Sequence, residues 1–212
     1  MINYPEYVKI NDKKYKINTD FRFAIECNRI AEDNTINDIE RSLAIIYTLF
    51  GDEGIDNPQD YEKLLEMAQK YLLCGKEYKD TNEKPNMNFE KDAGIIASSF
   101  QYDYSYNPYE MEYCHWYKFY NDLVNLSDSE FGNCCALSNV RNLRDFDESK
   151  IEDREQRKKV HDAKMYWALD DNNKKKPSEK QKESAKKFFE ALGYREEWFY
   201  EKLACYWYKI RN

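Results

Sequence analysis

The sequence predicts a mainly α chain, a single helical domain of about eight helices preceded by a short N-terminal β-hairpin. Three observations carry this reading. Apolar residues recur at helical spacing from Phe21 onward, residues that start and stop helices bracket those runs, and Tyr7 to Ile17 alternates with the period of a strand as no other segment does so convincingly.

In YVKINDKKYKI, residues 7–17, apolar and polar positions alternate around Asn11-Asp12, which places the turn of a hairpin there. Asn18, Thr19 or Asp20 caps the first helix, FRFAIECNRIAE, with Phe21, Ile25 and Ile30 near one face and Arg22, Glu26 and Arg29 on the other. A second helix follows Asn37, sets Ile39, Leu43, Ile46, Tyr47 and Phe50 at helical spacing, and ends at GDEG. Asn57-Pro58 puts a capping side chain before a first-turn proline, and Leu64, Leu65, Ala68, Tyr71 and Leu72 then run to the stop residue Gly75. After the polar connector KEYKDTNEKPNMN, Asn88 caps FEKDAGIIASSFQYDY, and Asn107-Pro108 opens the helix containing EMEYCHWYKFY.

Ser127 to Glu130 has capping-box form ahead of FGNCCALSNVRNL, and a long charged helix is expected from about Lys150 to Leu169. Its run DREQRKKVHDAK mixes charges at helical spacing and reads as a solvated face. Beyond the loop NNKKKP, Ser178 to Gln181 forms another capping box, and Phe188, Phe189 and Leu192 lead to Gly193. The last helix carries Phe199, Leu203, Tyr206 and Ile210 as an amphipathic stripe. That stripe either docks on its own core or offers a surface for a partner helix or self-association. Residues 1–170 are thus expected to form the helical domain, with 171–212 as a C-terminal helical hairpin extension packed on it.

Composition narrows the function classes. A formal net charge of -7 argues against nucleic acid as the main partner, because phosphate binding needs a concentrated basic surface. KKKPSEKQK is a local basic patch in acidic surroundings. The mean hydropathy of -0.98 is very polar, yet 19 Tyr, 11 Phe and 4 Trp supply enough bulk for a core. No run approaches the roughly 18 apolar residues of a membrane helix, and the polar start lacks a signal-peptide core. An intracellular protein without membrane contact is therefore expected, with Cys27, Cys74, Cys114, Cys134, Cys135 and Cys205 as free thiols.

Candidate chemistry centres on EMEYCHWYKFY. On a helix, Cys114 and His115 diverge by about 100 degrees, which weakens a nucleophile-base pair. A wheel centred on Trp116 gathers Tyr109, Tyr113, Phe119, Tyr120 and Leu123 into a buried arc, with Cys114 nearly opposite. Glu112 falls inside that arc, where an unpaired carboxylate costs several kcal/mol, so Arg22, Arg141 and Arg144 are its candidate partners in a structural ion pair. Zinc finds no ligand pattern, since Cys134-Cys135 lacks knuckle spacing and His115 and His161 belong to different helices. The sequence has no GxxxxGK[ST], GxGxxG or GxSxG. We therefore expect no catalytic residue, cofactor site or metal site. An enzyme or inhibitor would have to use Glu112, His115 or a cysteine.

The segments YPEYVKINDKKYKINTDFR, ERSLAIIYTLFG, FEKDAGIIASSFQYDY, HWYKF and DREQRKKVHDAKMYWAL together resemble the bacteriophage gene-product-fifteen family. The resemblance runs in order over about residues 4–170, and its more specific parts are the hairpin leading into TDFR and HWYKF, similar to the family's HWW-type core. It implies a small helical protein encoded in the tail-morphogenesis region of phages and prophages of Gram-positive bacteria, acting in the host cytoplasm. It further implies a tail assembly chaperone that keeps the tape-measure protein soluble; the alternative readings are a structural or adaptor protein of the tail, or a small phage-encoded inhibitor of a host protein. It supplies no catalytic residues.

Overall fold

A computed structural model describes residues 4–76, 85–127 and 135–169. The fold is mainly α with a small N-terminal antiparallel hairpin, as the sequence predicts. Strands β1 (Tyr7–Ile10) and β2 (Lys13–Lys16) precede helices α1 (Phe21–Glu32), α2 (Asp38–Ile55), α3 (Tyr61–Leu72), α4 (Ala93–Tyr104), α5 (Trp116–Val124), α6 (Ala136–Asp145) and α7 (Arg154–Tyr166). Two compact units divide these elements: residues 4–76 with 115–117, and residues 85–114 with 118–127 and 135–169. The expected helices beyond Ser178, and the stripe Phe199, Leu203, Tyr206 and Ile210, lie outside the described residues.

In the first unit, Asn11 takes the left-handed turn conformation at φ 54° and the strands pair from Tyr7 opposite Lys16 to Ile10 opposite Lys13. Ile10 and Tyr15 are buried, and the Tyr15 hydroxyl donates to Asp60 Oδ2 at 2.7 Å. Asp20 caps α1 by accepting from the Arg22 N–H. The buried stripe of α1 is Phe21, Ala24, Cys27 and Ile30, whereas Ile25 is half-buried; the inner face lies nearer Cys27 than the largest side chains suggest.

Helix α2 opens on a complete capping box between Asn37 and Glu40. Arg41 is buried, yet its guanidinium is paired with Asp38 and donates to the carbonyls of Asp33 and Ile36. GDEG breaks this helix without ending it. Gly51 sits at φ 63°, ψ -156°, a region open essentially to glycine alone, and helical turns resume to Ile55. Asn57 does not cap the next helix; its amide donates back to the Glu53 carbonyl at 2.9 Å, while Pro58–Asp60 forms a short 3-10 turn.

The end of α3 shows why the chain stops there. Gly75 N–H donates to the Lys70 carbonyl and Cys74 N–H to that of Tyr71, the pattern of a Schellman cap, with Cys74 at φ 52° and Gly75 at φ 74°. Leu73 N–H takes the Gln69 carbonyl, and the Trp116 indole Nε1–H takes that of Leu72 at 3.1 Å. All four terminal carbonyls of the helix are thereby satisfied.

In the second unit, Asn88 Oδ1 accepts from the N–H groups of Glu90 and Lys91, but this closes a turn and α4 begins only at Ala93. Asn107-Pro108 likewise opens a turn, with Asn107 Oδ1 accepting from Tyr109 N–H, and no helix runs through Tyr109 to Cys114. Ser127 is tied to Asp103 by its N–H and hydroxyl, and the rest of its expected capping box lies outside the described residues. Cys135 caps α6, and Asp153 caps α7. Helix α7 starts later than Lys150 because Glu148–Lys150 makes its own 3-10 turn, and none of its residues is buried, which fits the expected solvated face. Among the described residues no helix is long and apolar enough to cross a membrane.

Candidate functional site

Helix α5 starts at Trp116 because the preceding backbone is claimed elsewhere. His115 makes an isolated antiparallel bridge with Asp20, and Trp116 N–H donates to the Thr19 carbonyl at 2.8 Å. The chain therefore arrives extended, and the wheel drawn over EMEYCHWYKFY does not apply before residue 116. Trp116 and Phe119 are buried as expected, and Tyr109 and Tyr120 are half-buried. Tyr113 is 52% exposed and Glu112 is exposed, so neither belongs to the core, whereas Cys114, placed opposite the core by the wheel, is 2% exposed. Glu112 is not the buried half of an ion pair. Of its candidate partners, Arg22 pairs with Asp20, Arg141 donates to Asn86, and Arg144 pairs with Asp92.

His115 is 8% exposed and sits in a cluster of tyrosines. Its ring stacks on Tyr4 at 4.7 Å and meets Tyr71 and Tyr117 edge-on at 6.3 and 5.6 Å. Nδ1 accepts from the Tyr117 N–H at 3.0 Å, capping the first turn of α5, which leaves Nε2–H facing the Pro5 carbonyl at 3.3 Å. That tautomer is neutral. Burial pulls His115 below the ordinary 6.5, against the opposing pull of the Pro5 carbonyl and Glu6. A second proton on Nδ1 would displace the bond it accepts from the Tyr117 N–H.

Stability is therefore expected to be full above pH 6.5 and to fall as pH drops below it, because the unfolded chain takes up the proton first. Urea midpoints measured between about pH 7.5 and 5 test this, since carboxylates titrate mostly lower. The slope should flatten in His115→Asn; an unchanged slope would assign the effect to other groups.

Among the described residues the most deeply buried carboxylate is Asp92. Arg144 holds it with two parallel bonds of 2.8 Å, and the Arg144 guanidinium also donates to the carbonyls of Asn86 at 2.9 Å and Trp167 at 2.7 Å. Asn88 N–H adds a further bond to Asp92 at 2.9 Å. Burial alone would push the Asp92 carboxyl up, but these donors hold it below the ordinary carboxylate value. One ion pair thus joins the start of α4, the end of α6 and the residue following α7. The sequence carried a sign of it: Asp92 stands four and eight residues before Ile96 and Phe100, on the buried stripe of α4.

A third cluster joins Tyr106, Lys118 and Asp122. The Lys118 ammonium lies 4.3 Å from the centre of the Tyr106 ring, donates to its hydroxyl at 2.9 Å, and pairs with Asp122, which also accepts from Tyr106. Burial and the bond to Asp122 push Tyr106 up; for Lys118 burial acts downward, but the bonds to Asp122 and Tyr106 push it up. Both groups are held in their protonated forms, the opposite of an activated nucleophile or base. Burial likewise pushes the Cys27 thiol up and the Cys74 thiol up to about 12. Among the described residues Cys27, Cys74, Cys114 and Cys135 form no disulfide. Among the described residues no three His, Cys, Asp or Glu side chains are grouped to hold a metal ion. Cys134 lies outside them, and His161 pairs instead with Glu148 at 3.1 Å.

These clusters bind parts of the chain to one another, and each is accounted for by what it caps, neutralises or closes. Residues 3–169 match the family described as Bacteriophage Gp15 protein. No curated protein and no solved structure matches the chain.

Proposed function

The chain belongs to the bacteriophage Gp15 protein family, and from that premise we propose that it is a non-enzymatic protein of phage tail morphogenesis, a tail assembly chaperone that binds the tape-measure protein in the host cytoplasm. The observation that carries this reading is the family match over most of the chain. The side chains support it in two ways. The ionisable clusters are locked in structural roles, and large adaptable side chains face solvent instead, among them Tyr47, Tyr102, Met165 and Tyr166 at 56, 66, 63 and 80% exposure. Tyrosine and methionine are well suited to protein contacts, the first as a rigid anchor and the second as a surface that repacks.

Co-expression with the tape-measure protein of the same phage, followed by pull-down, tests the proposal. The expected result is a complex and a larger soluble fraction of the tape-measure protein. Equal solubility with and without this chain, and no complex, would sink it. Recovery of the chain from purified virions would instead indicate a structural or adaptor component.

A further inference from the structure

The outer face of the N-terminal hairpin is built against its own stability. Directly paired residues share a face, so the register puts Tyr7, Lys16, Lys9 and Lys14 together on one side, and Val8, Tyr15, Ile10 and Lys13 on the other. The second side carries Ile10 and Tyr15 into the core; all four residues of the first are exposed. Lys9 and Lys14 stand directly opposite one another, an arrangement of like charges that weakens a strand pair. None of the four paired residues of that side is a carboxylate. Among the described residues Lys9, Lys14 and Lys16 form no ion pair, and the Lys14 ammonium instead lies 4.4 Å from the centre of the Tyr7 ring. Lys63 brings another ammonium to the turn, 3.0 Å from Asn11 Oδ1. This concentration of cations lies on a chain whose net charge is -7.

We propose that this face binds an acidic segment of a protein partner, with the three lysines pairing its carboxylates and Tyr7 covering its apolar stems. Alternate residues on one strand lie about 7 Å apart and neighbouring strands about 4.8 Å apart, so the ammonium groups match carboxylates two residues apart on a strand or four apart on a helix. Nucleic acid is the poorer fit. Three cations release few counterions from a polyanion, and a long polyanion also feels the repulsion of the whole acidic chain. The inference does not depend on which protein supplies the segment, and it stands or falls separately from the chaperone reading.

The test is binding of a fluorescently labelled octaglutamate peptide to the full chain, followed by anisotropy at rising salt. Binding at low ionic strength that fades as the Debye length shrinks below about 10 Å is the expected result. Lys9→Glu should weaken it at least about tenfold while holding or raising the urea midpoint, because it sets opposite charges across the strand pair. The neutral variant Lys9→Thr/Lys14→Thr/Lys16→Thr should abolish binding and keep its fold, threonine being a good strand residue. Lys158→Thr/Lys159→Thr on α7 should bind as the wild type does. The proposal is overturned if the peptide does not bind, if Lys9→Glu binds equally well, if the α7 variant loses as much, or if single-stranded DNA of equal charge binds more tightly.

Discussion

Arg144→Leu is expected to destabilise the second unit by about 3–5 kcal/mol, the cost of leaving a buried charge without its partner. Asp92 is 1% exposed, and the guanidinium supplies two of its hydrogen bonds as well as its counter-charge. Removing the arginine also strips the Asn86 and Trp167 carbonyls of a donor. Lysine is no substitute, since a single ammonium cannot make the two parallel bonds and reach two carbonyls. Asp92→Asn leaves the guanidinium buried without charge compensation and should cost a similar amount. The double variant Asp92→Asn/Arg144→Leu should cost clearly less than the two single losses added together, because the second change removes a penalty that the first created. Urea unfolding followed by circular dichroism measures all three. Additive losses, or a single loss under about 1 kcal/mol, would mean that the pair is not held as its geometry indicates.

The same pair fixes a pH dependence. A carboxyl held below its ordinary value of 3.8 contributes stability that is complete above that value and lost as pH falls through its folded value. The wild type should therefore lose in acid an increment that the double variant lacks. This window lies well below that of His115, so the two contributions separate along one titration.

What was legible in the sequence was local. Asp20 and Asn37 cap helices through their own neighbours, and Asn11-Asp12 turns a hairpin, because each signal acts over a few residues. The reading failed where a distant backbone decided. Asn107-Pro108 carries a helix-start signal, yet it opens only a turn, and the bridge from His115 to Asp20 and the bond from Trp116 to Thr19 delay the helix until residue 116. The wheel failed for residues before 116, where Glu112 and Tyr113 moved out and Cys114 moved in, and held for Trp116, Phe119 and Leu123 within the helix. The expectation of a carboxylate on an aromatic helix face, paired with arginine, described a real device at the wrong address. Arg144 is the arginine, but the acid is Asp92, whose spacing from Ile96 and Phe100 marks the buried stripe of α4.

Trp116 is where local and distant effects meet, and Trp116→Ala is expected to cost about 3–5 kcal/mol, the range for emptying a large aromatic site in a core. The side chain is 2% exposed, and its indole N–H closes the last open carbonyl of α3, that of Leu72. Two effects are therefore combined, lost burial and a lost cap, and Trp116→Phe separates them. Phenylalanine keeps most of the apolar bulk but removes the donor, so it should cost about 1–3 kcal/mol, the penalty for a buried acceptor left unmet. If the two variants were equally damaging, the indole N–H would dominate; if Trp116→Phe were neutral, water would reach the Leu72 carbonyl and the cap would be dispensable. Amide exchange distinguishes these outcomes, since losing the Leu72 contact should speed exchange at Leu73, Cys74 and Gly75, whose N–H groups close the same turn. That local loosening is the expected signature of a tryptophan whose burial holds the start of α5 and whose ring nitrogen completes the end of α3.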